Sequence, residues 1–290
     1  MPTPDHNLLI LGAGGMLATA FAQLLTERGL PHRLAGQADF DLTDPAAVND
    51  AITPDLTAVI NCAAYTAVDA AEEHEDLATA VNGHAVATLA DACHTADALL
   101  VNYSTDYVFP GNATSPYTAD QNRNPLNAYG RSKAVGETAL EASSTRWMNI
   151  RTSWLYAPWG KNFVLTMARL THDKDTLKVV DDQRGRPTSA QHLAASTLAM
   201  IEAGATGHHH ITDGGECTWH EFTQAIADIL GNSCDIQPCT SDQYPLPAKR
   251  PAYSVLDLSK TETLIGPPPH WRDNLIAVLN TVKAETTPAA

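Results

Sequence analysis

The strongest constraint on this chain is an alternation. Short apolar runs recur through its first half, and stretches with helical spacing separate them. NLLIL (7–11) leads through a glycine loop into MLATAFAQLLTER (16–28), which stops at Gly29. HRLAG (32–36) predicts a second strand, and in DFDLTDPAAVNDAI the pair Asp44-Pro45 opens a helix in the N-cap and N1 places. TAVINCAA (57–64) is a third strand, and the alanine-rich stretch from about Asp69 to Thr95 reads as one long helix. ALLVNYS (98–104), NAYGRSKAVGETALE and WMNIRTSWLY (147–156) continue the series as strand, helix and strand. Buried apolar strands that alternate with helices require a parallel sheet covered on both faces, which is the doubly wound α/β architecture.

Beyond residue 156 the pattern changes. Prolines gather (Pro187, Pro238, Pro245, Pro247, Pro251 and Pro267 to Pro269) and the elements become less regular. The expected division is a nucleotide-binding domain over 1–156 and a smaller, mainly substrate-binding region over 157–290. Some helices of the second part are expected to return to flank the sheet.

Composition removes several function classes. Net charge is −15, from 33 acidic and 18 basic residues, which argues against nucleic acid or an anionic membrane as partner. A small anionic ligand stays open, because a local basic cluster can oppose the overall sign. The run EEHED (72–76) reads as the solvated face of a helix. No apolar stretch approaches the roughly 20 residues of a bilayer span. MPTPDHNLLILG lacks the basic start of a secretory leader, so a cytoplasmic protein is expected. The cysteines (Cys62, Cys93, Cys217, Cys234 and Cys239) are odd in number and form no C-x-x-C, against a disulfide framework or a zinc ribbon. His208, His209 and His210 lie in GHHHIT, where strand neighbours point to opposite faces and cannot converge on one ion. No metal site is expected.

The loop after the first strand is GAGGMLA, Gly12 to Ala18. The spacing G-x-G-x-x-G fails at Leu17, but Gly12-x-x-Gly15-x-x-Ala18 fits. Glycines there let backbone N–H groups approach a pyrophosphate seated on a helix N-terminus. The first strand–helix junction therefore reads as the dinucleotide site of a Rossmann-type sheet. An acidic residue closing the second strand would bind a ribose 2′-OH and favour NAD. Gly36 and Gln37 stand there instead, with no carboxylate until Asp39 and with Arg33 close by. NADPH is expected, with NADH as the alternative.

Tyr129 and Lys133 in PLNAYGRSKAVGE lie one helical turn apart. Alone, the pair reads first as an exposed amphipathic face, where such pairs are common. After the glycine loop it reads as chemistry. Reduction of a ketone needs a proton for the developing alkoxide, and a phenol with an unperturbed pKa near ~10 holds one at neutral pH. A neighbouring ammonium is expected to lower that pKa towards the working range. Ser104 and Thr105 end the preceding strand, where ligands bind in open α/β sheets.

STDYVFPG, PLNAYGRSK followed by GE, RTSWLY and DDQRGRPT together resemble the dTDP-4-dehydrorhamnose reductases of the extended short-chain dehydrogenase/reductase superfamily. The resemblance runs from Leu8 to about Leu258. It implies reduction of the C4 ketone of dTDP-4-dehydro-L-rhamnose, the last step of dTDP-L-rhamnose synthesis, which feeds surface polysaccharides. It makes Tyr129 the proton donor, Lys133 its partner and Thr105 the third catalytic residue. It places the cofactor against Gly12, Gly15, Met16 and Leu17, with Asp41 and Leu42 near the adenine, and with Ala63, Ala64, Tyr65 and Tyr103 along the remaining channel beside Tyr129 and Lys133. Thr105, Asp106 and Trp154 match positions that contact the nucleotide sugar. Arg184, Arg186, Lys249 and Arg250 are candidates for the substrate pyrophosphate. Two alternatives remain: a reductase of another dTDP-4-keto-6-deoxy sugar, and a non-catalytic regulatory relative. Some members of the family pair through a magnesium ion held by carboxylates. The matching positions here are Ala20 and Gln191, which supply no charge, so a monomer or a dimer not bridged by magnesium is expected.

Overall fold

The computed structural model describes residues 7–286; residues 1–6, part of the stretch read as lacking a leader, and 287–290 lie outside the described residues. The apolar runs form β1 (Leu8–Leu11), β2 (His32–Ala35), β3 (Ala58–Asn61), β4 (Leu99–Thr105) and β5 (Trp147–Thr152). Between them lie α1 (Met16–Glu27), α2 (Pro45–Ala51), α3 (Glu75–Thr79), α4 (Ala85–Ala96) and α5 (Ala128–Ala142). The second half adds β6 (Leu155–Tyr156), α6 (Phe163–Asp173), β7 (Thr176–Val180), β8 (Arg184–Gly185), β9 (Thr188–Ser189) and α7 (Ala190–Glu202). It continues with β10 (Gly207–His210), β11 (Cys217–Thr218), α8 (Trp219–Leu230), β12 (Asp235–Cys239), α9 (Ser259–Ile265) and α10 (Trp271–Thr286).

One six-stranded sheet organises the molecule, in the order β10-β5-β4-β3-β1-β2. Every neighbouring pair in it is parallel. Strand order runs outward both ways from the β1/β3 junction, so the crevice of a doubly wound sheet opens there, beyond the carboxyl ends of the strands. Strand residues alternate between the two faces. Leu8, Ile10, Ile60, Val101 and Ile150 pack with Phe21 and Leu25 of α1 and with Leu193 and Leu198 of α7. Leu9, Leu11, Val59 and Leu100 pack with Val48 of α2, Val86 and Leu89 of α4 and Leu140 of α5. A separate cluster in the second half joins Tyr156, Phe222, Ile226, Trp271, Leu275 and Leu279.

Local signals act as read at the α2 start, where the Asp44 side chain accepts from the Ala46 N–H with Pro45 in the first turn. Three segments differ from the expectation. The 69–95 stretch is not one helix: a 3-10 turn (Ala70–Glu72) precedes α3, and a π turn (Ala80–His84) separates α3 from α4. Close packing on α5 accounts for the wide turn. A Cβ on Gly136 would stand 2.3 Å from the Asn82 carbonyl oxygen, and one on Gly83 would stand 2.7 Å from Val135. The run WMNIRTSWLY breaks at Trp154, whose φ of 48° ends β5 and re-aims the chain into β6. From the second half a strand returns as well as helices: β10 pairs with β5 and completes the sheet.

Candidate active site

Gly12 and Gly14 take left-handed conformations, φ 88° and 85°, that turn the chain from β1 into α1. A Cβ on Gly12 would stand 2.8 Å from the Ala63 backbone nitrogen, so the loop crosses the end of β3 backbone to backbone. One on Gly14 would project into open space. Gly15 is the N-cap of α1 and gives it no side-chain cap, and the first turn holds no acidic residue. Bare N–H groups at the start of a 12-residue helix, facing the switch-point crevice, fit a dinucleotide pyrophosphate. Met16 and Leu17 begin this helix. The Trp159 indole donates to the Met16 carbonyl at 3.1 Å, and Gly160 packs on the Met16 side chain. Sequence reading missed this second wall of the crevice.

Of the two residues expected near the adenine, Asp41 is exposed and accepts from both the Thr43 N–H and its hydroxyl, and Leu42 packs partly on the α2/α4 cluster. Folding also brings a carboxylate back to the end of β2, because Asp39 Oδ2 accepts from the Gly36 N–H at 2.7 Å. Arg33 is turned away, donating to the Ala51 carbonyl at 2.6 Å.

Tyr129 and Lys133 sit on successive turns of α5, with Thr105 at the end of β4. Asn127 caps the helix, its side chain accepting from the Gly130 N–H at 2.8 Å. Lys133 is buried, and its ammonium donates to the Tyr103 carbonyl at 2.9 Å. Burial pushes the Lys133 pKa down to about 8, against the pull of Glu137. The Tyr129 phenol behaves opposite to the expectation. Burial raises its pKa, the Asp106 carboxylate raises it further, and the Thr105 hydroxyl beside it lowers it. The ammonium donates to the Tyr103 carbonyl, and burial of the phenol makes its proton harder to remove than in water.

Asp106 is 3% exposed and accepts from the Thr105 hydroxyl at 2.9 Å, while its Oδ2 is buried with no partner among the described residues. Burial pushes its pKa up to about 6, opposed by hydroxyl contacts. Ala63 and Ala64 follow β3, and Tyr65 and Tyr129 pack against the same cluster of Ala71, Ala78 and Ala128. Tyr103 offers the site only its carbonyl: its phenol lies on the other face of the sheet, 2.9 Å from the Thr197 hydroxyl of α7. Trp154, just before the second half begins, packs against that half's cluster and stacks on Trp219 with ring centres 3.5 Å apart. Of the basic candidates, Arg250 is taken by Asp69 (2.8 and 3.0 Å) and Arg184 lies within 4 Å of Glu216 (3.7 Å) and Glu221 (3.6 Å). Lys249 is exposed. Arg186 makes no ion pair among the described residues, and its buried Nε lacks a partner.

Two positioning groups escaped sequence reading. Asn82, in the π turn, accepts from the Tyr65 N–H and donates to the Tyr65 carbonyl and to Ser132 Oγ, each within 3.0 Å. Ser132 in turn donates to the Tyr129 carbonyl at 2.7 Å. One side chain thus ties the crevice wall to the turn that carries the tyrosine. Glu72 accepts from the Ala128 N–H at 2.8 Å, and Glu75 grips Arg131 at 2.7 Å through two bonds. The EEHED run is therefore a clamp on the start of α5 rather than only a solvated face.

The sequence profile of the RmlD substrate binding domain family matches residues 6–284. The chain is similar to a dTDP-4-dehydrorhamnose reductase of Streptomyces griseus, 42% identical over 280 residues, which span 93% of this chain and 92% of that protein. It is similar to a dTDP-4-keto-6-deoxy-D-glucose reductase of Streptomyces niveus, 36% identical over 281 residues, 96% of this chain and 98% of that protein. Among solved structures, dTDP-4-dehydrorhamnose reductase (rfbD) from Bacillus anthracis str. Ames in complex with NADP superposes with a TM-score of 0.92 at 31% identity, covering 96% of this chain and 99% of that one.

Proposed function

The chain belongs to the RmlD substrate binding domain family, and from that premise we propose that it reduces the C4 ketone of dTDP-4-dehydro-L-rhamnose with NADPH or NADH, yielding dTDP-L-rhamnose for polysaccharide synthesis. The observation that carries this reading is that α5 brings Tyr129 against the Thr105 hydroxyl and Lys133 onto the Tyr103 carbonyl, both at the carboxyl end of β4.

The bound nicotinamide supplies the hydride. Gly12, Gly15, Met16 and Leu17 hold the pyrophosphate, Asp41 and Leu42 flank the adenine, and Ala63, Ala64, Tyr65 and the Tyr103 carbonyl line the channel towards Lys133. Lys133 orients the ribose. Tyr129 gives its phenolic proton to the ketone oxygen as the C4–H bond forms, and its raised pKa means that it yields this proton only to a strongly basic alkoxide. Thr105 steadies the same oxygen once its hydroxyl turns from Asp106. Asp106, bonded to Thr105 through Oδ1, turns its buried Oδ2 to a sugar hydroxyl, Trp154 bounds the sugar, and Arg186 faces the pyrophosphate. Residues 1–156 act mainly as the cofactor domain and 157–290 mainly as the substrate region, with α7 and β10 returned to the sheet. Among the described residues no helix is long and apolar enough to cross a membrane. A cytoplasmic protein is proposed, monomeric or paired without magnesium, since Ala20 is buried in α1 and Gln191 accepts from the Ser189 hydroxyl.

A coupled assay tests the reading: dTDP-glucose, a 4,6-dehydratase, a 3,5-epimerase and then this protein, following NADPH oxidation and the sugar formed. Turnover that requires the epimerase is the expected result. Turnover without it would favour the second reading, a reductase of the unepimerised keto sugar, which the Streptomyces niveus relative supports. No turnover in either case would leave a non-catalytic relative.

A further inference from the structure

A row of polar side chains crosses the sheet beneath α5, and none of the steps above uses it. Asn61, Asn102, Asn149 and His208 stand at matched positions on β3, β4, β5 and β10. The three amides are at most 3% exposed. Neighbours in register on adjacent strands lie about 4.8 Å apart, within reach of an amide bridge. Asn61 and Asn102 are joined at 3.0 Å, Asn102 and Asn149 at 2.9 Å, and Asn149 and His208 Nδ1 at 3.1 Å. At the far end His208 Nε2 lies 2.9 Å from Glu141 Oε1, and at the near end the Ala63 N–H donates to Asn61 Oδ1 at 3.2 Å.

One group that cannot turn decides the direction of every link. A backbone N–H only donates, so the Asn61 atom facing Ala63 is its oxygen. Asn61 then offers its NH₂ to Asn102, Asn102 offers its own to Asn149, and Asn149 offers its own to His208. His208 Nδ1 must accept. A neutral imidazole has one N–H, which is therefore on Nε2 and meets the Glu141 carboxylate.

We propose that this row positions the cofactor channel: neutral His208, as the Nε2–H tautomer, holds Ala63 in place through three amides, and protonation of His208 releases it. The added proton on Nδ1 opposes the Asn149 NH₂. Turning Asn149 over passes the conflict to Asn102 and then to Asn61, whose NH₂ would finally face the Ala63 N–H. The coupling spans three strand spacings, about 14 Å. It rests on the reading that Ala63 lines the cofactor channel.

Charged groups face His208 from each neighbouring element. Glu137 and Glu141 come from α5, where Arg123 pairs with both, and Arg151 comes from β5. The Trp147 ring meets the imidazole edge-on at 5.0 Å, and Lys260 of α9 donates to the His208 carbonyl. Burial outweighs the two glutamates and holds the His208 pKa below the ordinary imidazole value. The neutral form therefore prevails at neutral pH.

Two measurements test the row. Long-range ¹H–¹⁵N correlation on histidine-labelled protein, with His208→Gln for assignment, should show the Nε2–H tautomer at neutral pH. The Nδ1–H tautomer would overturn the row. NADPH affinity is then followed by fluorescence in the wild type and in H208Q from about pH 8 down to the pH at which the same spectra show His208 protonated, below the ordinary imidazole pKa of about 6.5. A glutamine carbonyl can accept from Asn149 and does not titrate, and the variant also corrects for the cofactor's own phosphate, which titrates near ~6. Relative to H208Q, the wild type should lose about three- to tenfold in affinity as pH falls, the worth of one hydrogen bond. Parallel pH profiles would overturn the coupling to Ala63. Failure of both proteins to bind NADPH at any pH would overturn the cofactor-site reading and this role with it, while the tautomer would still judge the row itself.

Discussion

On the face covered by α1 and α7 the sheet presents Leu8, Ile10, Ile60, Val101 and Ile150; on the face covered by α4 and α5 the same strands present Asn61, Asn102, Ser104, Asn149 and Arg151 beside their leucines. Both sets are sealed from water, at 4% exposure or less. The polar set is therefore no wet surface. Buried polar groups cost free energy unless each finds a partner, so a chain that places them inside must match them. The reason lies in α5, whose inner stripe reads Tyr129, Lys133 and Glu137, each one turn from the next, with the exposed Glu141 at its outer end. Lys133 meets β4, Glu137 meets Arg151 of β5, and Glu141 meets His208 of β10. The helix that brings the tyrosine to the crevice also brings charges into the interior, and the sheet beneath it is built to receive them. One face holds the fold together; the other does so while orienting Tyr129 and Lys133.

The contrast predicts which substitutions separate activity from stability. The largest effect belongs to Tyr129→Phe, which should lower kcat by about 10²–10⁴-fold, the usual range for a general acid. Its NADPH affinity and melting temperature should stay near the wild type, and a kcat within a few-fold of wild type would remove Tyr129 from the reaction. Glu137→Gln comes next. Arg151, 2% exposed, would lose its bidentate carboxylate, and breaking a buried pair costs about 3–5 kcal/mol. Denaturant unfolding measures this, and the double variant Glu137→Leu with Arg151→Met should recover part of the loss. On the apolar face, Leu193→Ala should cost about 2–5 kcal/mol by opening a cavity. There kcat per folded molecule should hold, and a matching fall in kcat would erase the distinction between the faces.

A smaller effect concerns pH. A lysine loses its charge as pH rises through its pKa, and burial has brought that of Lys133 down to about 8. Turnover should decline above about that value in rate–pH profiles, and flat rates to well beyond it would mean that the charge is not needed. Smallest is Asp39→Asn, away from both faces, at the end of β2. Removing a carboxylate there should raise kcat/KM for NADPH relative to NADH by a few-fold, as one solvent-screened charge is worth about 1 kcal/mol or less.

The apolar face was readable in the sequence, because periodicity reports which residues share a face and the caps at Asp44 and Gly29 punctuate it. The pairing of Tyr129 with Lys133 was readable for the same reason: both are local to one helix. What escaped depends on contacts between distant segments. Glu72 sits in a charge run, and only a partner 56 residues away makes it a cap for α5. Arg250 reads as a free cation until Asp69, 181 residues earlier in the chain, takes it. Asn82 looks like one polar residue in an alanine-rich helix, since the π turn that aims it comes from packing against Gly136. The Tyr103 phenol points away from the site because side chains alternate along β4, and the sequence does not say which parity faces α7.

The pairing of β10 with β5 has a consequence for how the molecule is made. Synthesis proceeds at about 5–20 residues per second, so β5 leaves the ribosome several seconds before Gly207–His210 exists to cover it. During that interval β5 is an open edge, a template for pairing with another nascent chain. Asn149 and Arg151 point from that edge into an interior not yet closed, and polar side chains there make an early intermolecular match a poor one. A fragment ending at residue 156 would keep the glycine loop, the tyrosine and the lysine, yet it would carry this unfinished edge permanently and should accumulate as aggregate rather than as a soluble half-enzyme.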